Sequence, residues 1–584
     1  MHLFEKFKNA ITYKTILENK KLLEEFDNLE YVVPNKLLES NTDIILGQNV
    51  YNDIEFSKVL KIIDNCYLRG GSEFLNQITN IPIKNIDVLN NRKSILQNIE
   101  NIITDDDIVA LKELKTLEQD LLWVFHAHPK HLEDLYNMAY FRFRFFKKLN
   151  SSSETLTAYN VYRILLSPLI GLLSPIIYFI VPYLIINYKF KMKIGFFQYI
   201  KFTFMMLNKG SLFEVNNNFK YVTKISYIFS LIFYFQGLFN SFEISKTLYK
   251  INKHIIQKIN NVISFSRKAT ELIKKLWTPD IITYYSLCPD FFKTLESEES
   301  YIETFNKINN INFGSHLKQY KFIDKDIIKS ILYKTYVLDA FNNLVQFKKT
   351  KNYVYASFML SDGEPIYQVT GITHPTLINP VENTLDLQGD RKNMILTACN
   401  SAGKSVLIKS ILVNIILAQT VTISCCSKKC NFTPFDHINS QINIPDCTGV
   451  ASLFEASMFR CKDNLDILQN LKGNSIIVMD EVFSSTNPIE AISGAYAICN
   501  KISTYKNNLL IFTTHFNYLT KLAKDTKRFK NYKMETNVLN DNIDFTYKLV
   551  RGVNKQYLAL ELLKLNGFDS TIIDEALAIK KTFY

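Results

Sequence analysis

The fold is decided by residues 393–420, which read NMILTACNSAGKSVLIKSILVNIILAQT. A short apolar run leads into a turn of small residues, then into Gly403, Lys404 and Ser405, and then into an apolar segment without glycine or proline. This order predicts a strand, a loop and a helix. In such a unit the backbone N–H groups and the positive helix N-terminus face an anion, while the lysine adds a mobile charge and the hydroxyl can ligate Mg²⁺. The stretch therefore predicts a phosphate-binding loop.

The loop departs from the GxxxxGK[ST] pattern at one position, because Ala398 stands where the first glycine belongs. If that position needs a positive φ, alanine costs about 1 kcal/mol or more relative to glycine. The alternative interpretation is a buried strand–helix unit in which Gly403, Lys404 and Ser405 are accidental. Two later segments favour the phosphate loop.

Two later apolar runs each end in groups that suit phosphate chemistry. Residues 475–481 read SIIVMDE, a strand pattern ending in Asp480 and Glu481. The first carboxylate is predicted to reach the metal, and the second to orient and deprotonate a water. Residues 509–516 read LLIFTTHF, which predicts a strand that delivers His515 to the edge where ligands bind, as a γ-phosphate sensor. The alternative interpretations are that Glu481 is an exposed acid in a turn and that His515 has only a structural role.

Together these segments predict a nucleotide site in three parts. The catalytic residues are Glu481 and His515, and the metal ligands are Ser405 and Asp480. The nucleotide-binding residues come from one loop: Asn400, Ser401, Ala402, Gly403, Lys404, Ser405 and Val406. The predicted cofactors are ATP and Mg²⁺, and the predicted activity is ATP hydrolysis.

The region from about residue 373 to 578 resembles the ATPase domain of the MutS family, the ABC-type ATPases of DNA mismatch repair. The resemblance rests on His374-Pro375, TACNSAGKS (397–405), Leu417-Ala418-Gln419, Asp480-Glu481, Ser485-Thr486-Asn487 with Glu490, Thr514-His515-Phe516 and YKLVRG (547–552). It implies a homodimer that binds DNA and uses ATP, with a dimerisation helix over about 560–581. It also implies that Ser452 binds the γ-phosphate of the opposite subunit. Ser457 departs from the glutamate that the family has there.

The upstream chain is divided by the same resemblance. Residues 1–65 form an N-terminal helical segment, and residues 66–160 resemble the start of the MutS core, or lever, with a glycine-containing helix, Pro82 and a second helix that Asn85 or Asp87 can cap. Residues 243–370 return as lever helices, and residues 371–584 form the ATPase domain. The predicted fold is thus an α-helical lever domain followed by an α/β ABC-type P-loop ATPase domain. We expect no mismatch-reading domain upstream and find no Phe-x-Glu context there, so mismatch specificity is not implied.

Residues 161–242 are the least MutS-like part of the chain. Residues 164–186 are 23 residues without a charge and residues 225–242 are another 18, long enough to span about 30 Å of hydrocarbon. Three prolines recur in the first run, and the lysines between the runs would lie against the positive-inside bias of a spanning hairpin. Three interpretations stay open: a spanning hairpin, an interfacial hairpin on an anionic membrane surface, and long core helices of an all-α arm.

The following segment predicts one long amphipathic helix, since Ile244, Leu248, Ile251, Ile255 and Ile259 recur at spacings of three and four. Its polar side is basic, which fits either a solvated face or contact with phosphates.

Composition leaves the partner open. The chain has 584 residues, a net charge of +12 and nine cysteines without disulfide-type spacing. This length predicts two to four domains, and the basic balance suits DNA or an anionic membrane. Without a secretory signal or a disulfide framework, we expect a cytoplasmic or nuclear protein, with or without membrane association.

Three function hypotheses follow. The first is a MutS-like ATPase that couples ATP binding and hydrolysis to a dimeric DNA-binding clamp in DNA repair or recombination. The second is a nucleotide-gated, membrane-tethered binding protein with little turnover. The third, an ABC transporter subunit, is disfavoured because the glycine-rich signature expected before the strand at 475–479 is missing.

Overall fold

The computed structural model describes residues 44–125, 130–209, 217–277, 294–306, 313–360, 363–399, 401–442, 453–483, 487–539, 542–554 and 568–582. Within these ranges the chain forms two compact units. The helical unit comprises residues 116–270 and 294–329, and the sheet unit comprises residues 44–115, 271–277 and 330–582. Two predicted site residues, Asn400 and Ser452, lie outside the described residues.

The described helices run in chain order through both units. The first ten are α1 (Val50–Asp53), α2 (Phe56–Ile63), α3 (Arg69–Thr79), α4 (Ile86–Ile102), α5 (Asp105–Leu122), α6 (Lys130–Tyr136), α7 (Ser153–Val161), α8 (Ser167–Leu184), α9 (Phe196–Lys209) and α10 (Asn217–Leu276). The remaining ones are α11 (Leu295–Asn306), α12 (Phe313–Phe322), α13 (Lys325–Lys351), α14 (Lys404–Val421), α15 (Leu453–Asn470), α16 (Pro488–Ile502), α17 (Leu522–Asp525) and α18 (Ser570–Thr582).

Most of α10, a single helix of 60 residues, belongs to the helical unit. Its apolar stripe is buried at Leu248, Ile251, Ile255 and Ile259, as the spacing predicts, whereas Ile244, which belongs to the same spacing, is 40 % exposed. Ile244 lies near the end of an apolar segment whose large side chains point outward. Burial of this stripe stabilises the unit.

The sheet unit contains a seven-stranded sheet of order β1-β9-β10-β11-β6-β12-β13, in which only β13 is antiparallel to its neighbour. Its strands are β1 (Ile45–Leu46), β6 (Asn393–Thr397), β9 (His437–Gln441), β10 (Ser475–Met479), β11 (Asn508–Thr514), β12 (Phe529–Leu539) and β13 (Asn542–Arg551). The predicted strands at 394–396, 475–479 and 509–512 are confirmed, and every residue of β6, β10 and β11 is buried.

Two smaller sheets complete this unit. One has the order β3-β8-β4-β5 and the other pairs β2 with β7, from the strands β2 (Val354–Tyr355), β3 (Ser357–Phe358), β4 (Tyr367–Ile372), β5 (Asn383–Leu387), β7 (Ile423–Ser424) and β8 (Cys426–Phe432). A helical region together with an α/β sheet region is therefore what the chain forms, as the sequence predicts.

The segment around Ile83 is fixed to the end of α14. The Gln419 amide donates to the Ile83 carbonyl at 3.1 Å, and the Ile83 N–H donates to the Gln419 carbonyl at 2.8 Å. Arg92, which is fully buried, donates to the Thr420 carbonyl. The predicted cap is also formed, since the Asn85 side chain accepts from the N–H of Asp87 at 2.9 Å. These bonds satisfy buried polar groups and hold α4 and the segment before it against α14.

Two described helical segments are long and apolar enough to cross a membrane. Lys404–Val421 is 83 % buried over its most apolar window, as expected for a core helix of the sheet unit, whereas Ser153–Ile177 is only 11 % buried. The prolines of the first apolar run do not end its helix, because Pro175 and Pro182 lie inside α8. We call residues 162–189 and 228–245 the apolar hairpin.

Candidate functional site

The site lies at the carboxyl edge of the three central strands. β10 and β11 are neighbours, with Met479 opposite Phe512, and β11 and β6 are neighbours, with Thr514 opposite Thr397. Because these strands are parallel, their carboxyl ends meet at one edge, where ligands bind in open α/β sheets. The loop after β6, the two carboxylates after β10 and the histidine after β11 are brought together there.

The loop between β6 and α14 has the backbone of a tight anion-facing turn. Gly403 caps α14 with φ of 89°, and Ser401 also has a positive φ of 66°. A Cβ on Gly403 would lie 3.1 Å from the Tyr547 ring, so this position favours glycine by conformation and by space. Among the described residues of this loop, the positive φ angles do not include Ala398, which is buried. Its replacement of glycine therefore causes no backbone strain of the kind considered above.

Four polar side chains meet in front of α14. The Lys404 ammonium lies 2.7 Å from Oε1 of Glu481, and the Ser405 hydroxyl donates to Oδ2 of Asp480 at 2.7 Å. Lys404 is only 7 % exposed. Glu481 has φ of 46°, a conformation that costs a non-glycine residue roughly 1–2 kcal/mol. This backbone directs the carboxylate towards the lysine.

Thr513 and His515 complete the cluster from β11. The Thr513 hydroxyl donates to Asp480 and accepts from the Glu481 N–H, so this one side chain fixes the positions of both acidic residues. Nδ1 of His515 lies 3.7 Å from Oε2 of Glu481. The His515 imidazole, and after it the Lys404 ammonium, lowers the pKa of Glu481 to about 2, against the opposing effect of burial. Glu481 is therefore a carboxylate throughout the neutral range.

The donors near Asp480 fit a magnesium ion. Ser405 and Asp480 offer one hydroxyl and one carboxylate, which are hard oxygen ligands. Mg²⁺ in nucleotide sites takes one or two such protein oxygens and completes its octahedron with water and phosphate. No cluster of three or more histidine, cysteine or acidic side chains suited to a metal occurs among the described residues.

A cleft of about 640 Å³ opens beside these residues. Ser401, Gly403, Lys404, Ser405, Val406 and Glu481 line it, together with His374, Ile378, Asn383 and Tyr547. Burial lowers the pKa of His374 to about 4, so its imidazole is neutral and can pack against a flat ring. A cleft lined by a lysine and serine hydroxyls as well as by apolar and ring side chains suits a nucleotide.

Sequence reasoning missed part of this site. Thr513 was within the quoted strand, and its position directly before the Thr–His pair could have identified it. Asn383 and Tyr547 come from β5 and β13, and only the fold brings them near the loop, where the Asn383 amide donates to the Tyr547 carbonyl at 3.1 Å. Ser457, at the position of the family's glutamate, is buried and accepts from the Gln441 amide at 2.9 Å.

The comparisons with known proteins agree with this geometry. Residues 394–584 match the family model described as MutS domain V. A DNA mismatch repair protein MutS of Clostridium botulinum is 30 % identical over 208 residues, which are 35 % of this chain and 21 % of that protein. The protein of the same name from Clostridium perfringens is 29 % identical over 214 residues, which are 36 % of this chain and 22 % of that protein. The matched part thus spans about a fifth of the length of these curated relatives. Residues 394–584 of this chain are thus similar to MutS domain V, which supports membership of the MutS family.

Proposed function

We propose that this chain is a MutS-like ATPase that couples ATP binding and hydrolysis to a dimeric DNA-binding clamp in DNA repair or recombination. The observation that carries the proposal is the meeting of Lys404, Glu481 and His515 with the Ser405–Asp480 pair at one sheet edge. These are the groups that phosphoryl transfer to water requires: a phosphate-neutralising lysine, two magnesium ligands and a positioned base.

In this proposal each predicted residue has one role. The loop residues 400–406 bind the phosphates, with Lys404 neutralising the β- and γ-phosphates. Ser405 and Asp480 hold Mg²⁺, which supplies charge neutralisation on the phosphate oxygens when bound. Glu481 orients and deprotonates the attacking water, and His515 senses the γ-phosphate. Ser452 contacts the γ-phosphate of the opposite subunit, a role taken from the family resemblance alone.

The domain division is part of the same proposal. We assign residues 371–584 to the ATPase domain, residues 66–160 and 243–370 to the lever, residues 161–242 to the hairpin and residues 1–65 to an N-terminal helical segment. Dimerisation is supported by α18, on which Ile572 is 50 % and Leu577 is 37 % exposed. Exposed apolar residues along one helix favour association with a partner helix.

DNA binding is supported by the names of the relatives and by the net charge of +12. The basic side of α10 is a weaker candidate than its sequence predicts. Two of its lysines form ion pairs within their own units, Lys258 with Asp120 and Lys275 with Asp107. Exposed cations on this helix include Lys253 and Arg267.

The alternative of a tethered protein with little turnover is not favoured. Low turnover was suggested by Ala398 and Ser457, but Ala398 has no positive φ and Ser457 accepts a hydrogen bond from Gln441. The groups needed for hydrolysis are all in the chain.

A gel-shift series with homoduplex, mismatched and branched DNA, each with and without ATP, tests the proposal. We expect one DNA class to be bound with an affinity that changes with ATP in the wild type and does not change in Lys404→Ala. DNA binding that is absent, or that ignores ATP in both proteins, would contradict the clamp.

A further inference from the structure

The apolar hairpin consists of two antiparallel helical arms. The Ser245 hydroxyl donates to the Ile164 carbonyl at 2.5 Å, and the hydroxyl oxygens of Ser167 and Ser241 lie 3.5 Å apart. Farther along, the Tyr234 hydroxyl donates to the Gly171 carbonyl at 3.2 Å. The paired positions ascend on one arm while they descend on the other, so the arms lie side by side.

Small and polar residues form part of the contact between the arms. A Cβ on Gly171 would lie 3.2 Å from the Leu238 side chain, so glycine allows the arms to approach closely. The hydroxyls of Ser167, Ser241 and Ser245 face the partner arm. Small residues at the contact, joined by interhelical hydrogen bonds, are typical of helix pairs in membranes. In lipid no hydrophobic effect drives helices together, so close packing and hydrogen bonds hold them.

The large apolar side chains point the other way. On the first arm the exposed ones range from 38 % to 57 % exposure: Leu165, Leu166, Leu169, Ile170, Leu172, Leu173, Ile176, Ile177, Ile180, Val181, Leu184 and Ile185. On the second arm they range from 40 % to 63 %: Ile228, Phe229, Leu231, Ile232, Phe233, Phe235, Phe239, Phe242 and Ile244. At about 100° per residue, each set covers an arc of about 220°. A single partner helix covers a stripe of roughly 100°, whereas lipid covers the whole arc.

The length of the apolar surface fits a bilayer. No charged residue lies between Arg163 and Lys189 on the first arm, and the 18 residues 225–242, which include most of the second arm, are uncharged. Eighteen helical residues extend about 27 Å, close to the roughly 30 Å of a hydrocarbon core. Prolines within α8 are compatible with this setting, because helices in lipid tolerate them.

One end of the hairpin is both basic and aromatic. Lys189, Lys191 and Lys193 are exposed there, with no acidic residue between residues 189 and 213. Tyr188 is 83 % and Phe197 is 84 % exposed, in positions that follow the apolar arm. Aromatic residues and lysines at the end of an apolar helix match the interface between hydrocarbon and anionic head groups.

We infer that the apolar hairpin inserts into a lipid bilayer, with the end at Lys189–Lys193 among anionic head groups. DNA would satisfy the lysines but leave the apolar arcs in water, and a second copy of the chain would leave most of each arc uncovered. The inference goes beyond the proposed function, since the groups of the ATP site lie in the sheet unit and none lies in the hairpin.

Flotation of the purified full chain with vesicles tests this inference. We expect the wild type to float with vesicles of phosphatidylcholine and phosphatidylglycerol and to stay bound through an alkaline carbonate wash. A double variant, Ile176→Lys with Phe233→Lys, places two charges on outward positions and should lower the bound fraction at least roughly tenfold. Leu360→Lys, at a site of the sheet unit that is 88 % exposed, is the matched control and should float like the wild type.

A second variant tests the head-group contact. Replacing Lys189, Lys191 and Lys193 by glutamine should abolish the preference for anionic over pure phosphatidylcholine vesicles while leaving the wash resistance. Circular dichroism must show that each variant keeps the wild-type helix content. A wild type that is soluble without detergent and does not float would overturn the inference. So would a detergent-free dimer that the Ile176→Lys and Phe233→Lys changes dissociate, because the arcs would then be a protein interface.

Discussion

The ammonium of Lys404 lies 2.7 Å from the carboxylate of Glu481, so the first residue of α14 and the second acid after β10 neutralise each other. The pair joins the group expected to bind phosphate with the group expected to activate water. In the proposed function, an incoming triphosphate would compete with Glu481 for the lysine, and the released carboxylate would be free to accept a proton. One ion pair would thereby link phosphate binding to the availability of the base.

Removing the lysine tests the phosphate-binding half of this relationship. Lys404→Ala takes away a charge-assisted bond to phosphate, worth about 1.5–3 kcal/mol, so ATP affinity should fall by roughly tenfold or more. Equilibrium binding of a fluorescent ATP analogue measures this change. Lys409→Ala is the matched control, because Lys409 is on the same helix but pairs with Glu55 at 2.8 Å. Equal affinity in Lys404→Ala and wild type would refute the assignment of the loop.

The loop glycine offers a test of conformation. Gly403→Ala combines a φ of 89° with a Cβ 3.1 Å from the Tyr547 ring, whereas Gly389→Ala has a φ of 65° and no heavy atom within 4 Å of its Cβ. Both should lower the free energy of unfolding by about 1 kcal/mol from strain, but only Gly403→Ala should also weaken ATP binding. Calorimetric melting and ATP titration of the two variants separate these effects. Normal ATP binding by Gly403→Ala would show that the loop does not need this backbone.

A buried histidine in β9 makes stability depend on pH. His437 is fully buried, with Nδ1 2.9 Å from the Ser475 hydroxyl, and burial lowers its pKa from 6.5 to about 4. Between these values the unfolded chain binds a proton that the folded chain does not, so stability is lost as the pH falls from 6.5 towards 4. We expect the drop in melting temperature between pH 7 and pH 5 to be smaller in His437→Gln than in the wild type. Parallel curves over that interval would contradict the buried neutral imidazole, whereas parallel curves above pH 7 are expected.

The C-terminal helix carries the test of dimerisation. Ile572 and Leu577 are exposed on α18, so a partner subunit that packs there buries apolar side chains. Ile572→Glu with Leu577→Glu should shift the chain from dimer to monomer in light scattering. The control is Thr571→Glu with Asp574→Glu, which places two glutamates at polar positions of the same helix and should leave the dimer intact. A wild-type monomer, or a dimer that both double variants retain, would exclude α18 as the dimerisation surface.

Local sequence patterns predicted the elements of the proposed ATP site, because the end of a strand and the start of a helix are each determined by residues that are adjacent in the sequence. β6, β10 and β11 follow from short apolar runs, and the carboxylates and His515 follow from their positions directly after those runs. The cleft wall from Asn383 and Tyr547 could not be predicted, since those residues are 164 apart in sequence and meet only through the fold. The direction in which the hairpin side chains point could not be predicted either. A helix that is apolar on all sides has no polar face to show which side packs against the partner arm.

The most direct test of the central claim is a paired measurement of ATP binding and ATP turnover by wild type and Glu481→Gln. Glutamine keeps the size of the side chain and loses its basicity, so bound ATP should remain near one per chain while hydrolysis falls by roughly 10²-fold or more. ATP-bound dimers should then accumulate. If Glu481→Gln hydrolysed ATP at the wild-type rate, or if binding and hydrolysis fell together, Glu481 would not be the catalytic base and the proposed site would be wrong.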